Sequence, residues 1–195
     1  PKTQFYYGRV MLELEEHEVA LKSFLAAKKI YESMKDYRML ALIAEEVGMI
    51  NRIQKMYGDA LANFQESLAI NKQLKDSLRI ISASLNIARV YLFESKWDSC
   101  SLYYNNALEI AVQKNYVSEI TILHELGILY RSMQELSKAE RYFLAAYEKE
   151  TDEEKNGNSD VYGNCGKHDC FCTGMCSRHI YRFNDYGFSD HTGGR

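Results

Sequence analysis

A dense cluster of cysteine and histidine residues lies near the end of the sequence. Four cysteines and two histidines fall within "CGKHDCFCTGMCSRH", residues 165–179. The candidate metal ligands are Cys165, Cys170, Cys172 and Cys176, with His168 and His179 as further candidates. Zinc prefers thiolates and imidazoles, and a short segment can fold around such an ion. The chemistry that these residue types would provide is therefore structural zinc binding.

The spacing of this cluster does not favour zinc binding. It is C-x4-C-x-C-x3-C-x2-H, not the paired CxxC units of common zinc sites. A disulfide-linked tail in an oxidising compartment is a second interpretation. The third is a tail with no site, which is either ordinary disorder or sequence read in a shifted frame. We favour the third interpretation, and we predict no metal and no cofactor.

The shifted-frame version of this interpretation depends on composition. Residues 156–195 contain no Leu, Ala, Glu, Gln or Pro, although Leu, Ala and Glu dominate the preceding sequence. Cysteine and phenylalanine codons read one base out of register encode Val, Ala, Leu, Phe or Ser. A native continuation as another helix or a membrane span would therefore be hidden by a frame shift near Lys155.

One period organises the first 150 residues. Segments that begin at Tyr6, Glu46, Asn86 and Glu125 align with offsets of 40, 40 and 39 residues. Each copy carries a small residue, a second small residue, an aromatic residue and a third small residue at fixed places. In that order the series are Gly8, Gly48, Ala88 and Gly127; Ala20, Ala60, Cys100 and Ala139; Phe24, Phe64, Tyr104 and Phe143; and Ala27, Ser67, Ala107 and Ala146.

These series have a helical explanation. The last three residues of each copy lie at i, i+4 and i+7, which is one face of a helix. The first small residue lets a preceding helix approach that face closely. Gly58, in the turn "KMYGDA", is available for a left-handed bend. We predict no strands and eight helices, near residues 3–15, 18–34, 37–55, 58–74, 77–94, 97–113, 116–134 and 137–151.

The pattern resembles that of tetratricopeptide repeat (TPR) proteins, specifically the long-period repeats of bacterial regulatory proteins. The resemblance covers Phe5 to about Glu150, and the residues that fit best are Leu126, Gly127, Tyr130, Ala139, Phe143 and Ala146. It implies an all-α fold, a right-handed superhelical α-solenoid of four TPR-like helix pairs. We place the array at residues 1–155, with repeats near 1–36, 37–76, 77–115 and 116–151, and a tail without regular structure at 156–195.

The same resemblance implies a concave groove, lined by the first helices, that binds peptides or partner helices. Apolar residues and arginines mix at the places that face this groove in the family. The candidate partner-binding residues are Phe5, Arg9, Met49, Arg52, Asn86, Arg89, Phe93, His124 and Arg131. We expect arginines to pair with carboxylates of an extended ligand, and Phe5, Met49 and Phe93 to supply apolar contacts.

Helical spacing separates the arginines into two groups. Arg9 and Arg131 each have a glutamate four residues later, so each is expected to find a partner within its own helix. Arg52 and Arg89 have no carboxylate three or four residues away in either direction. We therefore predict that Arg52 and Arg89 are the better ligand-binding candidates. Internal pairing, for example with Glu45, is the alternative.

No arrangement of side chains in the sequence favours catalysis. Glu45 and Glu46 are neighbours, so a helix points them in different directions, and runs of acidic residues usually form a solvated face. His17 occupies a place that holds rings in two other copies, and Cys100 replaces a small alanine, so packing explains both residues best. His124 has no partner residue for catalysis. We predict that the protein is not an enzyme.

Composition limits the partners further. The net charge of −3 gives no positive excess for binding nucleic acid. No apolar run reaches the roughly 18 residues that a membrane-spanning helix needs. Because the chain begins at Pro1, a missing leader peptide stays open. The compartment is therefore undetermined, cytoplasmic by default and periplasmic if a leader is missing.

These observations predict a non-enzymatic protein–protein interaction scaffold. It would bind a peptide or partner segment in the groove, as the sensor or scaffold part of a bacterial regulatory protein. Two alternatives stay open, a structural array that self-associates into a homo-oligomer and a metal-binding protein that uses the C-terminal cluster. The sequence identifies neither the ligand nor any missing output domain.

Overall fold

Eight α-helices form the described part of the molecule, residues 1–155 of the computed structural model. They are α1 (Lys2–Glu13), α2 (His17–Met34), α3 (Tyr37–Ile53), α4 (Tyr57–Leu74), α5 (Ser77–Phe93), α6 (Trp97–Lys114), α7 (Ser118–Ser132) and α8 (Leu136–Lys155). No strand occurs among these residues, so the predicted all-α class is confirmed. The cysteine cluster and the predicted tail lie outside the described residues. None of the eight helices is long and apolar enough to cross a membrane.

The helices pack in pairs that follow one another along the chain. Within pairs, α1 contacts α2, α3 contacts α4, and α5 contacts α6. Ring contacts between His124 and Phe143 and between Tyr130 and Tyr142 join α7 to α8. Between pairs, α2 contacts α3, α4 contacts α5, and α6 contacts α7. Residues 1–149 thus form one unit, a solenoid of four helix pairs as predicted.

A small residue and a buried ring mark the closest approach within each pair. A Cβ atom built on Gly48 would lie 2.7 Å from Cε1 of Phe64, closer than packed atoms approach. The same closeness recurs in two other pairs, at Gly8 with Phe24 (2.9 Å) and Gly127 with Phe143 (2.5 Å). The remaining pair has Ala88 and Tyr104 at these places, both buried. The small series therefore exists because the rings of the second helices need that space.

Each turn between consecutive helices contains a residue in the left-handed region. These residues have φ between 51° and 62°, and they are Glu15, Lys35, Lys55, Lys75, Ser95, Asn115 and Gln134. In the third turn, between α3 and α4, Lys55 N–H donates to the Arg52 carbonyl (3.0 Å) and Met56 N–H donates to the Asn51 carbonyl (2.8 Å). This is the hydrogen-bond pattern of a Schellman cap. Gly58 lies inside α4 instead, so its predicted role in the bend was wrong.

Candidate functional site

The nine candidate groove residues all lie on the first helices of the pairs, but their environments differ. Phe5 and Asn86 are buried. Arg9, Met49, Arg52, Arg89 and His124 are half-buried, whereas Phe93 and Arg131 are exposed. Although all nine residues lie on first helices, they therefore do not form one shared surface.

Phe5 belongs to the core rather than to a ligand surface. Its side chain is 4% exposed, and its ring centroid lies 5.7 Å from that of Phe24 on α2. The equivalent residues Glu45 and Leu85 are buried as well. The fifth place of the repeat thus faces the second helix of its own pair, so the expectation that Phe5 supplies apolar contact to a ligand is corrected.

His124, the fourth residue at this place, also packs against a ring. Its imidazole centroid lies 5.3 Å from that of Phe143 on α8, with an angle of 60° between the ring planes. Met49 is half-buried on α3, and it packs at the edge of the cluster formed by Phe64 and its neighbours. Of these two groove candidates, Met49 has the more suitable environment for an apolar ligand contact.

Arg89 has an internal partner on the next helix pair. Its Nε and Nη2 atoms donate hydrogen bonds to Oε1 of Glu125 at 3.0 and 2.7 Å. The hydroxyl of Tyr104 donates to Oε2 of the same carboxylate at 2.9 Å. The Glu125 side chain is only 1% exposed. Internal pairing, the alternative interpretation of Arg89, is therefore what the structure contains.

The charge of Glu125 depends on these partners. Burial by itself raises the pKa of the Glu125 carboxyl. The Arg89 charge and the hydrogen bonds from Arg89 and Tyr104 together outweigh burial, so the pKa is lowered. The carboxylate stays ionised as a buried pair with Arg89. Helical spacing within α5 could not reveal this pair, because the two residues are 36 positions apart in the sequence.

A second arginine–glutamate contact joins the first two helix pairs. Arg9 Nε lies 3.5 Å from Oε1 of Glu46, and these residues occupy the same repeat places as Arg89 and Glu125. The glutamate expected within the helix of Arg131, Glu135, instead pairs with Lys138 on α8. Comparison of equivalent places across adjacent repeats would have found the Arg9 contact, which spacing within one helix could not.

The acidic neighbours Glu45 and Glu46 were expected from the sequence to lie on a solvated helix face. Both side chains are instead largely buried. Ser67 Oγ donates to Oε1 of Glu45 at 2.9 Å, and Asn71 Nδ2 donates to Ser67 Oγ at 3.1 Å. Burial raises the pKa of Glu45, and the hydrogen bond from Ser67 and the charge of Arg79 lower it only in part. Glu45 thus joins α3 to α4, while Glu46 faces α1.

Glu46 gives the folded protein a defined pH dependence. Burial raises the pKa of its carboxyl from 4.5 to about 7, against the opposing charge of Arg9. The folded state therefore keeps a proton that the unfolded chain releases in this range. Its stabilising effect is complete below pH 4.5 and falls by about 3 kcal/mol as the pH rises to 7. We expect Glu46→Gln to reduce this fall in the free energy of unfolding, measured by urea titration at each pH.

The control for this experiment is Glu32→Gln, which changes an exposed carboxylate on α2 and leaves the buried pair intact. Because Glu45 is shifted in the same direction, a residual decrease should remain in Glu46→Gln. An unaltered pH profile in Glu46→Gln would show that the Glu46 carboxyl is already ionised in the folded state at low pH.

Arg52, Phe93 and Tyr57 form a contact between the second and third helix pairs. The Cζ atom of Arg52 lies 5.9 Å from the ring centroid of Phe93. The ring of Tyr57 stacks on Phe93, with centroids 6.1 Å apart and planes 8° from parallel. Phe93 is nevertheless 40% exposed. A guanidinium beside partly exposed rings can bind both a carboxylate and an apolar side chain.

Tyr57 is a functional candidate that the sequence did not single out. It stands at the first residue of α4, at the place that holds His17 and Trp97 in other repeats. The signal in the sequence was that aromatic or imidazole rings recur at this place of the repeat. In the structure this place adjoins the place of Phe93 in the next repeat. Sequence alone indicated packing there and not the stack with Phe93.

The described residues contain few groups suited to catalysis or metal binding. Cys100 is fully buried, and burial, together with the charge of Glu125, raises the pKa of its thiol to about 12. This thiol stays protonated near neutral pH and is a poor nucleophile. Within residues 1–155, no group of three or more His, Cys, Asp or Glu side chains is placed to hold a metal ion.

Comparison with protein families gives one match. Residues 79–149, which cover most of the third and fourth helix pairs, match the tetratricopeptide repeat family. None of the curated proteins matches the chain in sequence.

Several solved structures share the fold. BtubC (BKLC) from P. vanneervenii superposes with a TM-score of 0.69 at 17% identity, over 77% of this chain and 63% of that one. The Rap conjugation gene regulator of plasmid pLS20, solved in complex with a Phr peptide, superposes with a TM-score of 0.65 at 19% identity, over 74% of this chain and 41% of that one. Aspartyl phosphate phosphatase F from Bacillus subtilis superposes with a TM-score of 0.57 at 15% identity, over 75% of this chain and 48% of that one. This chain thus spans less than two thirds of each, and at such identities the similarity shows the fold alone.

Proposed function

We propose that this chain is a long-period tetratricopeptide repeat protein and that it acts as a non-enzymatic scaffold for a peptide or partner segment. The ligand surface is formed by the first helices of the second and third pairs. The observation that carries the proposal is the contact of Arg52 with Phe93, which is stacked on Tyr57 and partly exposed. Met49 lies one turn before Arg52 on the same face of α3.

The chemistry of this surface favours one class of ligand. Arg89 is paired with the buried carboxylate of Glu125, and Arg9 lies 3.5 Å from the largely buried carboxyl of Glu46, so both are poorer candidates for pairing with a ligand. Arg52 lies against the partly exposed ring of Phe93. An extended segment with an acidic residue next to an apolar or aromatic residue fits this surface best.

The comparisons support a peptide ligand without identifying it. One structure of the same fold is that of a gene regulator in complex with a peptide, and another is that of a phosphatase. A shared fold does not determine function. Within the described residues Cys100 and His124 are engaged in packing, which favours the binding role over catalysis. We also propose that this scaffold is the sensor or scaffold part of a bacterial regulatory protein.

The test is selection of peptides on the immobilised 195-residue chain from a random displayed library. We expect enriched peptides to carry Asp or Glu beside an apolar residue. In fluorescence anisotropy with the most enriched peptide, Arg52→Glu should weaken binding about tenfold or more, and Phe93→Ala should also weaken it. Lys29→Glu, on the second helix α2, should bind as the unchanged chain does. Absence of enrichment, or equal binding by Arg52→Glu, would overturn the proposal.

The cysteine cluster at Cys165, Cys170, Cys172 and Cys176 lies outside the described residues, so metal binding there stays an alternative. The zinc content of the purified chain, before and after treatment with a chelator, tests it. Stoichiometric zinc that is lost in a Cys170→Ser and Cys172→Ser double variant would establish this second function, whereas zinc-free protein would eliminate it.

A further inference from the structure

Exposed apolar side chains follow one edge of the helix array. This turn edge consists of residues 12–22, 52–62, 92–102 and 131–141, the turns inside the four pairs with their flanking helix ends. Every one of these segments contains a large apolar residue that is at least 40% exposed. The residues are Leu14 (63%), Ile53 (46%), Met56 (45%), Phe93 (40%), Leu102 (58%) and Leu136 (66%).

The turn edge is continuous because successive pairs stack in the same order. Helix α1 contacts α3, α3 contacts α5, and Arg89 on α5 donates to Glu125 on α7. Tyr57, in the turn inside the second pair, stacks on Phe93, in the turn inside the third pair, at 6.1 Å. Helices in contact lie about 8–10 Å apart, so the apolar side chains recur at about that interval. A contiguous exposed apolar strip of this kind is typical of an interaction surface.

The charges along the turn edge alternate in a self-complementary order. Segment 12–22 has four glutamates against one lysine, a net charge of −3. Segment 52–62 has Arg52 and Lys55 against Asp59, a net +1, and segment 92–102 has Lys96 against two acids, a net −1. Segment 131–141 has three basic residues against two glutamates, a net +1. The order along the edge is therefore −3, +1, −1 and +1.

We propose that the occupant of the turn edge is a second copy of this chain, paired antiparallel about a two-fold axis. In that arrangement the first segment faces the fourth and the second faces the third, so opposite charges meet in every case. A parallel pairing would place −3 against −3. Two-fold symmetry forms each contact twice, which is how a short apolar strip becomes a stable interface.

This dimer is a separate proposal from the ligand site, but the two surfaces share Arg52, Tyr57 and Phe93. Variants that test the dimer therefore avoid Phe93 and Arg52. Leu136 and Leu144 form a matched pair, since both lie on α8 and both are more than half exposed, but only Leu136 is on the turn edge. Glu16 and Lys138 are exposed charges from the first and fourth segments, which face each other in the dimer.

Sedimentation of the full 195-residue chain over a range of concentrations, without added peptide, tests the proposal. We expect a reversible monomer–dimer equilibrium with no larger species. Leu136→Gln should raise the dissociation constant about tenfold or more, because it removes an apolar contact without adding charge, and Leu144→Gln should leave it unchanged. Circular dichroism verifies that both variants keep their helical content.

A charge exchange tests the antiparallel order itself. Glu15→Lys with Glu16→Lys turns the first segment from −3 to +1, and Lys138→Glu turns the fourth from +1 to −1, so each variant places like charges opposite each other and should weaken the dimer at low salt. All three changes in one chain place +1 opposite −1 and should restore it. A monomer at all concentrations, or a mass that keeps growing with concentration, would overturn the proposal. So would equal effects of Leu136→Gln and Leu144→Gln, or a triple charge variant that dimerises more weakly than both variants from which it was combined. None of these outcomes depends on whether the first helices bind a peptide.

Discussion

Replacing Arg89 with methionine is expected to lower the free energy of unfolding by about 3–5 kcal/mol. The change leaves the Glu125 carboxylate 1% exposed, with the Tyr104 hydroxyl as its remaining described partner. A buried charge without its counter-ion loses more than the hydrogen bonds of the pair, because its own desolvation is no longer compensated. Urea denaturation followed by circular dichroism measures the loss.

Two companion variants separate this effect from general disruption. Glu125→Gln combined with Arg89→Met should recover most of the loss, since a neutral amide still accepts from Tyr104. Lys28→Met, which breaks a more exposed pair with Glu66 at 3.0 Å, should cost less than about 1 kcal/mol. The deficit of Arg89→Met should also shrink in acid, where Glu125 can be protonated. A loss below about 1 kcal/mol near neutral pH would contradict a buried, ionised Glu125.

Gly48→Ala is expected to destabilise the array by about 1–3 kcal/mol, although alanine favours helix formation. The added methyl would meet Cε1, Cδ1 and Cζ of the Phe64 ring at 2.7, 2.8 and 3.1 Å. Phe64 is completely buried, so its ring cannot move without displacing other core side chains. Urea or thermal denaturation measures this change.

Gly58→Ala provides the matched control in the next helix. A Cβ at Gly58 meets no atom within 4 Å, so this variant should be unchanged or more stable by up to about 1 kcal/mol. In a background with Phe64→Leu, the additional cost of Gly48→Ala should decrease, because the atoms that it meets belong to the ring. Equal stability of Gly48→Ala and Gly58→Ala would contradict the close packing of α3 against α4 at Gly48.

The period of the sequence was sufficient to predict the fold, since packing within a pair is local. Gly48 and Phe64 are 16 residues apart, and every copy repeats this relation, so small and aromatic positions could be recognised together. Predicted helix ends differ from the observed ones by at most two residues, except that α8 ends at Lys155 rather than near 151. A Schellman cap is formed by backbone hydrogen bonds and does not require glycine. The preference of glycine for left-handed turns therefore pointed to Gly58, whereas Lys55 is the left-handed residue of that turn.

The candidate site was harder to predict because its polar contacts join different repeats. Arg89 was expected to be available to a ligand, since no carboxylate lies within one turn of it in the sequence. Its partner, Glu125, belongs to the next first helix and becomes a neighbour only when the pairs stack. Phe5 was assigned to the groove by analogy with the family, whereas its place in these repeats faces a second helix. Patterns within one helix predict faces, but contacts between repeats require the stacking geometry.

The left-handed turns have a consequence for how much this sequence can drift. A residue with a Cβ atom costs roughly 1–2 kcal/mol in the left-handed helical region, yet each of the seven turns among residues 1–155 uses one. Backbone hydrogen bonds hold these turns, so the identity of the turn residue carries little information about the fold. Recognisable information is concentrated in the small and aromatic positions. Chains with 15–19% identity can therefore share this architecture, while the family match is confined to residues 79–149.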